Sequence, residues 1–257
     1  MHPPAGFAFL PETERAARAT RVFDVERQGV RYVCKRLAQR ALDEAWMRER
    51  LAAEGRLLAQ MDGHGAPRLV ASGEDAQGPW VVMERVTAPA LATAPGRTDP
   101  RWLARATRAA FEALAAIHAR GVVHADLSPT NVLVDEDGAR ATLIDFGLAV
   151  WSGAPPMLPG PFRGTLLYAA PEVARGEVFG ARADLFALAA SLLHAWSGEA
   201  PRPQASEAAM LLAAGEEGIE AWAARVARGL DVHVARALVE CCAFDAARRP
   251  ERAEGLL

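Results

Sequence analysis

The spacing of apolar and polar residues changes character partway along the chain. Residues 7–11 (FAFLP), 21–26 (RVFDVE) and 30–35 (VRYVCK) are short and rich in β-branched and aromatic side chains, and predict strands. Arg27-Gln28-Gly29 joins the last two as a hairpin turn. From 43 to 61, apolar residues at 47, 51, 57, 58 and 61 fit one helical face, which Gly63-His64-Gly65-Ala66-Pro67 ends. Two more strands are predicted at 68–73 and 79–86. Beyond the polar, Pro-containing stretch 93–100 the period becomes helical. In 101–120, Trp102, Leu103, Ala106, Ala110, Leu114 and Ile117 share a face. Short strands at 131–134 and 141–145 flank the turn Asp135-Glu136-Asp137-Gly138. The stretch 151–163 is aperiodic and contains Pro155, Pro156, Pro159 and Pro161, so it reads as a loop. Helices follow at 182–196, 204–214, 217–228 and 231–243. The expected architecture is α+β within a single domain over 1–257. It has a β-rich N-terminal part of about 1–85 with one main helix, a linker at 84–92 and a helical part over 93–257.

Composition adds constraints. At 257 residues and 51% hydrophobic, the chain can bury a sizeable core. It has no uncharged apolar run of about 18 residues, so no spanning helix is expected. The start, MHPPAGFAFLPETER, lacks the basic and apolar regions of a signal peptide, so none is expected. A net charge of −3 gives no electrostatic reason to propose nucleic acid or a membrane surface as partner. Cys34, Cys241 and Cys242 are too few for a disulfide framework or a zinc site, and a reducing cytoplasm is the simplest expectation. Alanine occurs 56 times, and Lys35 is the only lysine among 29 Lys plus Arg. Asn131 is the only asparagine. In a chain that uses Arg wherever a generic cation serves, a retained ammonium marks a site where a forked guanidinium fails.

The chemistry concentrates in His124-Ala125-Asp126-Leu127-Ser128-Pro129-Thr130-Asn131 and in Ile144-Asp145-Phe146-Gly147. Asn131 and Asp145 are oxygen donors that can converge on a hard cation, and Asp126 is a carboxylate placed to accept a proton. Metal-assisted phosphoryl transfer needs these groups, because Mg²⁺ takes few protein ligands and the rest from phosphate and water.

This pattern, HxDxxxxN followed by DFG, resembles the protein kinase family. Other residues extend the resemblance over nearly the whole chain. Lys35, in Val33-Cys34-Lys35, sits at the family's strand lysine, and Glu54 follows 19 residues later as its pairing glutamate. Gly164-Thr165-Leu166-Leu167-Tyr168-Ala169-Ala170-Pro171-Glu172 resembles GTxxYxAPE. Asp184 resembles the aspartate that braces the catalytic loop, and Arg249 the late arginine that pairs with Glu172. The only lysine and the only asparagine thus both fall on family positions. The resemblance implies a bilobal kinase-like fold and ATP- and Mg²⁺-dependent transfer to Ser or Thr hydroxyls of a protein. It implies roles as follows. Asp126 handles the hydroxyl proton, Lys35 and Glu54 hold phosphates, and Asn131 and Asp145 hold the metal. Thr165 favours Ser/Thr specificity, while Val22, Cys34, Met83, Glu84, Val86 and Leu133 line the nucleotide site. His124, His118, Cys241 and Cys242 are expected to be structural.

Three departures qualify the expectation. Laying Val22 on the family's valine puts Arg15, Ala17 and Thr20 where the phosphate-covering loop has glycines. Ala125 replaces the arginine that reads an activating phosphate, and between Gly147 and Gly164 the only hydroxyl is Ser152. Ser128 replaces a lysine. Two alternatives stay open: a pseudokinase that senses nucleotide or binds a regulatory partner, and a small-molecule or RIO-like kinase. The four prolines restrict the loop in advance, and Met157, Leu158 and Phe162 are expected to hold it without phosphate.

Overall fold

A computed structural model of the protein describes residues 3–16, 19–153 and 165–256. The chain divides into two compact units, Met1–Thr87 and Ala88–Leu257.

The first unit is a five-stranded antiparallel sheet with one long helix. Its strands are β1 (Ala8–Ala16), β2 (Thr20–Arg27), β3 (Val30–Leu37), β4 (Leu69–Asp75) and β5 (Gly78–Glu84), in the order β1-β2-β3-β5-β4. The β2–β3 turn falls within the expected Arg27-Gln28-Gly29, with Arg27 ending β2 and two residues left between the strands. Gln28 and Gly29 both have positive φ, 55° and 77°, which matches the right-handed twist of the flanking strands. Alternation sorts the side chains. Phe23, Val25, Cys34 and Val82 pack with Phe7 in a buried cluster on one face. Val22, Lys35 and Val81 are cross-strand neighbours on the other face, as are Val33 and Met83. The helix α1 (Ala45–Met61) buries Leu51, Glu54, Leu57, Leu58 and Met61. It comes close to the sheet at Gly55, where an added Cβ would lie 3.3 Å from Ser72 Cβ and 3.4 Å from a Val81 methyl.

The second unit begins its regular structure at α2 (Pro100–His118). Asp99 caps this helix by accepting from the N–H of Arg101 and Trp102, with Pro100 in the first turn. All six predicted face residues of this helix are buried. Short strands β6 (Val122–Val123), β7 (Val132–Val134), β8 (Ala141–Leu143) and β9 (Val150–Trp151) form two small sheets, pairing β6 with β9 and β7 with β8. The helices α3 (Pro171–Ala174), α4 (Ala181–Ser197), α5 (Glu207–Glu216), α6 (Glu220–Val226) and α7 (Val232–Cys241) follow. Apolar around almost its whole circumference, α4 is the buried central helix. Cys241 and Cys242 are buried free thiols, and burial pushes Cys241 up to about 12.

Some boundaries differ from the sequence expectation for identifiable reasons. α5 starts at Glu207 because Ser206 Oγ caps it from the N–H of Ala209, 3.2 Å away. β8 stops at Leu143 because Asp145 adopts a left-handed backbone, with φ 66°. β1 runs on to Ala16, five residues past the predicted end.

The second unit is pinned by Arg249, whose five N–H donors are all used. Nη1 and Nη2 donate to the two Glu172 carboxylate oxygens at 2.6 and 3.0 Å. The remaining donors reach the carbonyls of Ala243, Arg182 and Phe244 at 2.7, 3.2 and 3.0 Å. The guanidinium also lies 4.7 Å from the Phe186 ring centroid. Both partners are buried. Glu172→Ala leaves this cation without its anion, and we expect a loss of about 3–5 kcal/mol in chemical denaturation. A loss within experimental error would show that the pair carries no weight.

Candidate active site

Lys35 and Glu54 meet inside the first unit. β3 directs Lys35 to the face covered by α1, and Glu54 is on the buried side of that helix. Nζ lies 2.9 Å from both Oε1 and Oε2, with the residues 7% and 2% exposed. Val22 is the cross-strand neighbour of Lys35, and Met83 that of Val33, so both share the lysine's face. Cys34 does not. Strand alternation turns it to the opposite face, into the cluster with Phe7, Phe23, Val25 and Val82, where burial pushes its thiol up to about 12. Its expected place beside the nucleotide is corrected accordingly: Val33 occupies the lysine's face. Glu84 ends β5 opposite Tyr32, with its N–H donating to the Arg68 carbonyl at 2.9 Å, and Val86 follows it, half-buried.

The expected glycine positions resolve differently from the sequence argument. Arg15 pairs with Val22 and Ala16 with Arg21, and Thr20 pairs with Leu37, so Arg15 and Thr20 lie in extended strand. Extended backbone needs no glycine, and the left-handed penalty does not arise at these two sites. Ala17 lies outside the described residues. The irregularity is moved back to a bulge between Leu10 and Arg15. There Thr13 Oγ1 donates to the Leu10 carbonyl and accepts from the Asp24 N–H, both at 2.7 Å. Glu14 and Arg21 form an ion pair across the two strands.

Sequence reasoning missed Asp24, a buried carboxylate on the same sheet face as Val33. It holds Arg85 Nε at 2.7 Å. The signal was there: an aspartate inside VFDV, at an alternating position shared with Val22.

The second unit assembles the remaining residues around Asp184. This carboxylate is 1% exposed on α4 and accepts from the N–H groups of His124 and Ala125 at 2.7 and 2.8 Å. His118 Nε2 lies 2.9 Å from it. Ala125 has φ 64°, a left-handed conformation that costs an L residue roughly 1–2 kcal/mol. Hydrogen bonds to a charged acceptor contribute about 1.5–3 kcal/mol each, so the two from Asp184 outweigh that strain. His124 joins this loop to the Asp-Phe-Gly turn. Its Nε2 lies 3.0 Å from the Ile144 carbonyl oxygen, and its ring packs 4.7 Å from that of Phe146. Both histidines are thus structural, as expected.

Asn131 Nδ2 donates to the Asp126 carbonyl at 2.9 Å, so its amide oxygen is the end left for a cation. The Ile144 N–H donates to the Asn131 carbonyl at 2.9 Å, and β7 pairs Val132 with Leu143. Asn131 and Asp145 therefore flank the same end of a two-strand ribbon. Among the described residues no cluster of three or more His, Cys, Asp or Glu could hold a metal. A divalent ion here would rest on Asn131, Asp145 and oxygens from outside the chain, a donor set that suits Mg²⁺. Leu133, 9% exposed, bridges to Ala90 at the start of this unit.

Asp126 Oδ1 accepts from both the N–H and Oγ1 of Thr165, at 2.8 and 2.9 Å. Burial pushes its carboxyl above the ordinary value. The Thr165 bonds and His124 pull it down by less, and Asp145 adds to the rise. The folded state holds this proton more tightly than the unfolded chain does. The contribution of Asp126 is therefore most favourable below the ordinary aspartate value and declines as pH rises through the raised one. A ¹³C-carboxyl NMR titration should place Asp126 above free aspartate, and Thr165→Val should move it further up. A midpoint at or below the free value would overturn the assignment.

Comparison with known proteins agrees with this geometry. Residues 18–254 match the family model described as protein kinase domain. The serine/threonine-protein kinase AfsK of Streptomyces griseus is 34% identical over 182 residues, 67% of this chain and 22% of that protein. The kinase pkn2 of Myxococcus xanthus is 34% identical over 166 residues, 62% of this chain and 20% of that protein. The DNA damage-responsive kinase RqkA of Deinococcus radiodurans is 37% identical over 162 residues, 60% of this chain and 24% of that protein. The matched stretches are under a quarter of each relative's own length. With the family match covering most of its length, the chain belongs to the protein kinase family.

Proposed function

We propose that the protein transfers the γ-phosphoryl group of ATP to Ser or Thr hydroxyls of a protein substrate. The observation that carries the reading is the Asp126 carboxylate, held on a braced loop and bonded twice by Thr165. In this reading Asp126 orients the acceptor hydroxyl and takes its proton. Lys35, fixed by Glu54, holds the α- and β-phosphates. Asn131 and Asp145 would hold Mg²⁺, which supplies charge neutralisation when bound. The protein's part is positioning and charge stabilisation rather than covalent chemistry. The kinase names of the bacterial relatives support a protein acceptor. No described helix is long and apolar enough to cross a membrane.

A second reading has a specific observation behind it. The glycine-free β1–β2 hairpin carries a regular ladder at Arg15–Val22 and an ion pair at Glu14–Arg21. Backbone bonded into a ladder has fewer N–H groups to offer phosphate. A non-catalytic module that binds a regulatory partner fits that feature. Radiolabelled ATP with generic protein substrates separates the two, comparing wild type with Asp126→Asn. Label transfer by wild type alone supports the enzyme.

Lys35→Ala should lower transfer by at least about tenfold, equivalent to ~1.4 kcal/mol of transition-state stabilisation, while unfolding stays cooperative. Lys35→Arg should fail as well, since a forked guanidinium is larger than an ammonium. An unchanged rate at saturating ATP would remove Lys35 from phosphate binding.

Regulation by a phosphate on the segment before Thr165 is not expected. Ala125 has no cation to read one, and Ser152 is an exposed residue whose N–H is bonded to the Gly121 carbonyl at 2.7 Å. Gly164, the prolines at 155, 156, 159 and 161, and Met157, Leu158 and Phe162 lie outside the described residues. Activity should survive complete phosphatase treatment verified by mass spectrometry. Activity lost on treatment and regained with phosphate on Ser152 would defeat this prediction.

A further inference from the structure

A cavity of about 370 Å³ opens within the second unit, beside the Asp126–Thr165 pair. Arg97, Ser128, Thr130, Thr165, Tyr168 and His194 are the polar residues of its wall, and among the described residues no carboxylate lines it. Arg97 sits on the short turn Pro95–Thr98 and donates from Nη1 to the Ala94 carbonyl at 3.0 Å. A guanidinium has five N–H donors, so one such bond leaves most of its capacity for an occupant.

His194 also lines the cavity. Its Nδ1 lies 2.7 Å from the Tyr168 hydroxyl. Burial pushes the phenol up to about 12, so it keeps its proton, and burial pulls the imidazole below its ordinary value, so the ring is neutral at neutral pH. A neutral ring beside a protonated phenol accepts at Nδ1 and carries its own proton on Nε2. The Ser128 and Thr130 hydroxyls lie 2.9 Å apart on the same loop as Asp126. The wall therefore presents one full positive charge and several hydrogen-bond donors. Arg97 is the permanently charged residue of the wall, so an anionic occupant finds a partner there and a cationic one does not.

Position supplies the rest. Thr165 belongs both to this wall and to the hydrogen-bond shell of Asp126. Whatever fills the cavity is a near neighbour of the group that Asp126 acts on. We propose that the cavity is a specificity subsite of the phosphoacceptor protein, taking a Glu or Asp carboxylate close in sequence to the hydroxyl that receives phosphate. Arg97 and His194 are its reading residues. The inference rests on the kinase reading of the same site.

The test uses fluorescent peptides with a single Ser acceptor. They are identical except for Glu, Ala or Arg placed in turn at each of about four residues on either side, a reach set by the ~3.3 Å rise of extended chain. Binding is read by anisotropy and phosphorylation by KM. At one position Glu should bind about tenfold more tightly than Arg, and the difference should shrink as salt is raised. Arg97→Glu should invert the order. Should that variant fail to fold, Arg97→Gln should abolish the discrimination. A wild type that favours Arg or ignores charge overturns the subsite, as does an order unchanged in the Arg97 variants. Acidic peptides bound with this preference yet never phosphorylated would support the subsite and sink the kinase reading. Phosphorylation without charge preference would do the reverse.

Discussion

Asp184 holds the loop that carries Asp126 in a backbone shape that the loop's own residues disfavour. An alanine at φ 64° is strained, and nothing in its methyl group compensates. The compensation comes from 60 residues away in sequence, through two N–H bonds to one buried carboxylate. That carboxylate would be costly to bury alone. His118 and the two backbone donors satisfy it, so the same bonds offset both the strain and the desolvation. The other features of this unit follow from that arrangement. With Ala125 fixed, His124 can reach the Ile144 carbonyl and pack on Phe146. The Asp-Phe-Gly turn, itself left-handed at Asp145, is thereby tied to the loop that carries Asp126.

Two ion pairs show how burial changes the meaning of a charge. Surface pairs such as Arg236–Glu240 contribute little because water competes for both partners. Lys35–Glu54 and Arg249–Glu172 are excluded from water, and each residue is held in place by its partner. The second pair is saturated, with every donor of Arg249 spent on the protein, which marks it as architecture. The first differs in kind. An ammonium held by Glu54 is a point charge with a defined position, which suits the phosphate-binding role proposed for it.

Much of this was legible in the sequence because local chemistry and global fold agree there. Arg27-Gln28-Gly29 marked the hairpin, the apolar periods marked α2 and α4, and the isolated lysine and asparagine fall within the candidate site. Cys34 was misplaced because a strand residue next to a functional one points the opposite way, and the resemblance was laid one position off that alternation. The β1–β2 pairing was not legible because the family pattern implies a loop with positive φ there, whereas this chain puts its irregularity into a bulge stitched by Thr13. The cavity at Arg97 and His194 was invisible for another reason. Its residues come from four separated segments, and the two that bring Arg97 and His194 carry no local pattern. Only the packing of α4 against the segment at Thr165 brings them to one wall.

The loop's two neutral substitutions act together on Asp126. Where the resemblance leads one to expect arginine and lysine, the chain has Ala125 and Ser128, so neither neighbour brings a permanent cation near the carboxylate. Burial then dominates, and the carboxyl rises above its ordinary value, with Thr165 as its principal counterweight. A carboxylate with a raised pKa is a stronger base, closer to what accepting a hydroxyl proton demands. It is also more dependent on the threonine that bonds it twice. Its support comes from Thr165, a residue that also walls the cavity beside it. One side chain, Thr165, therefore both lines the cavity and bonds the Asp126 carboxylate, which gives the proposed subsite a direct physical route to that group.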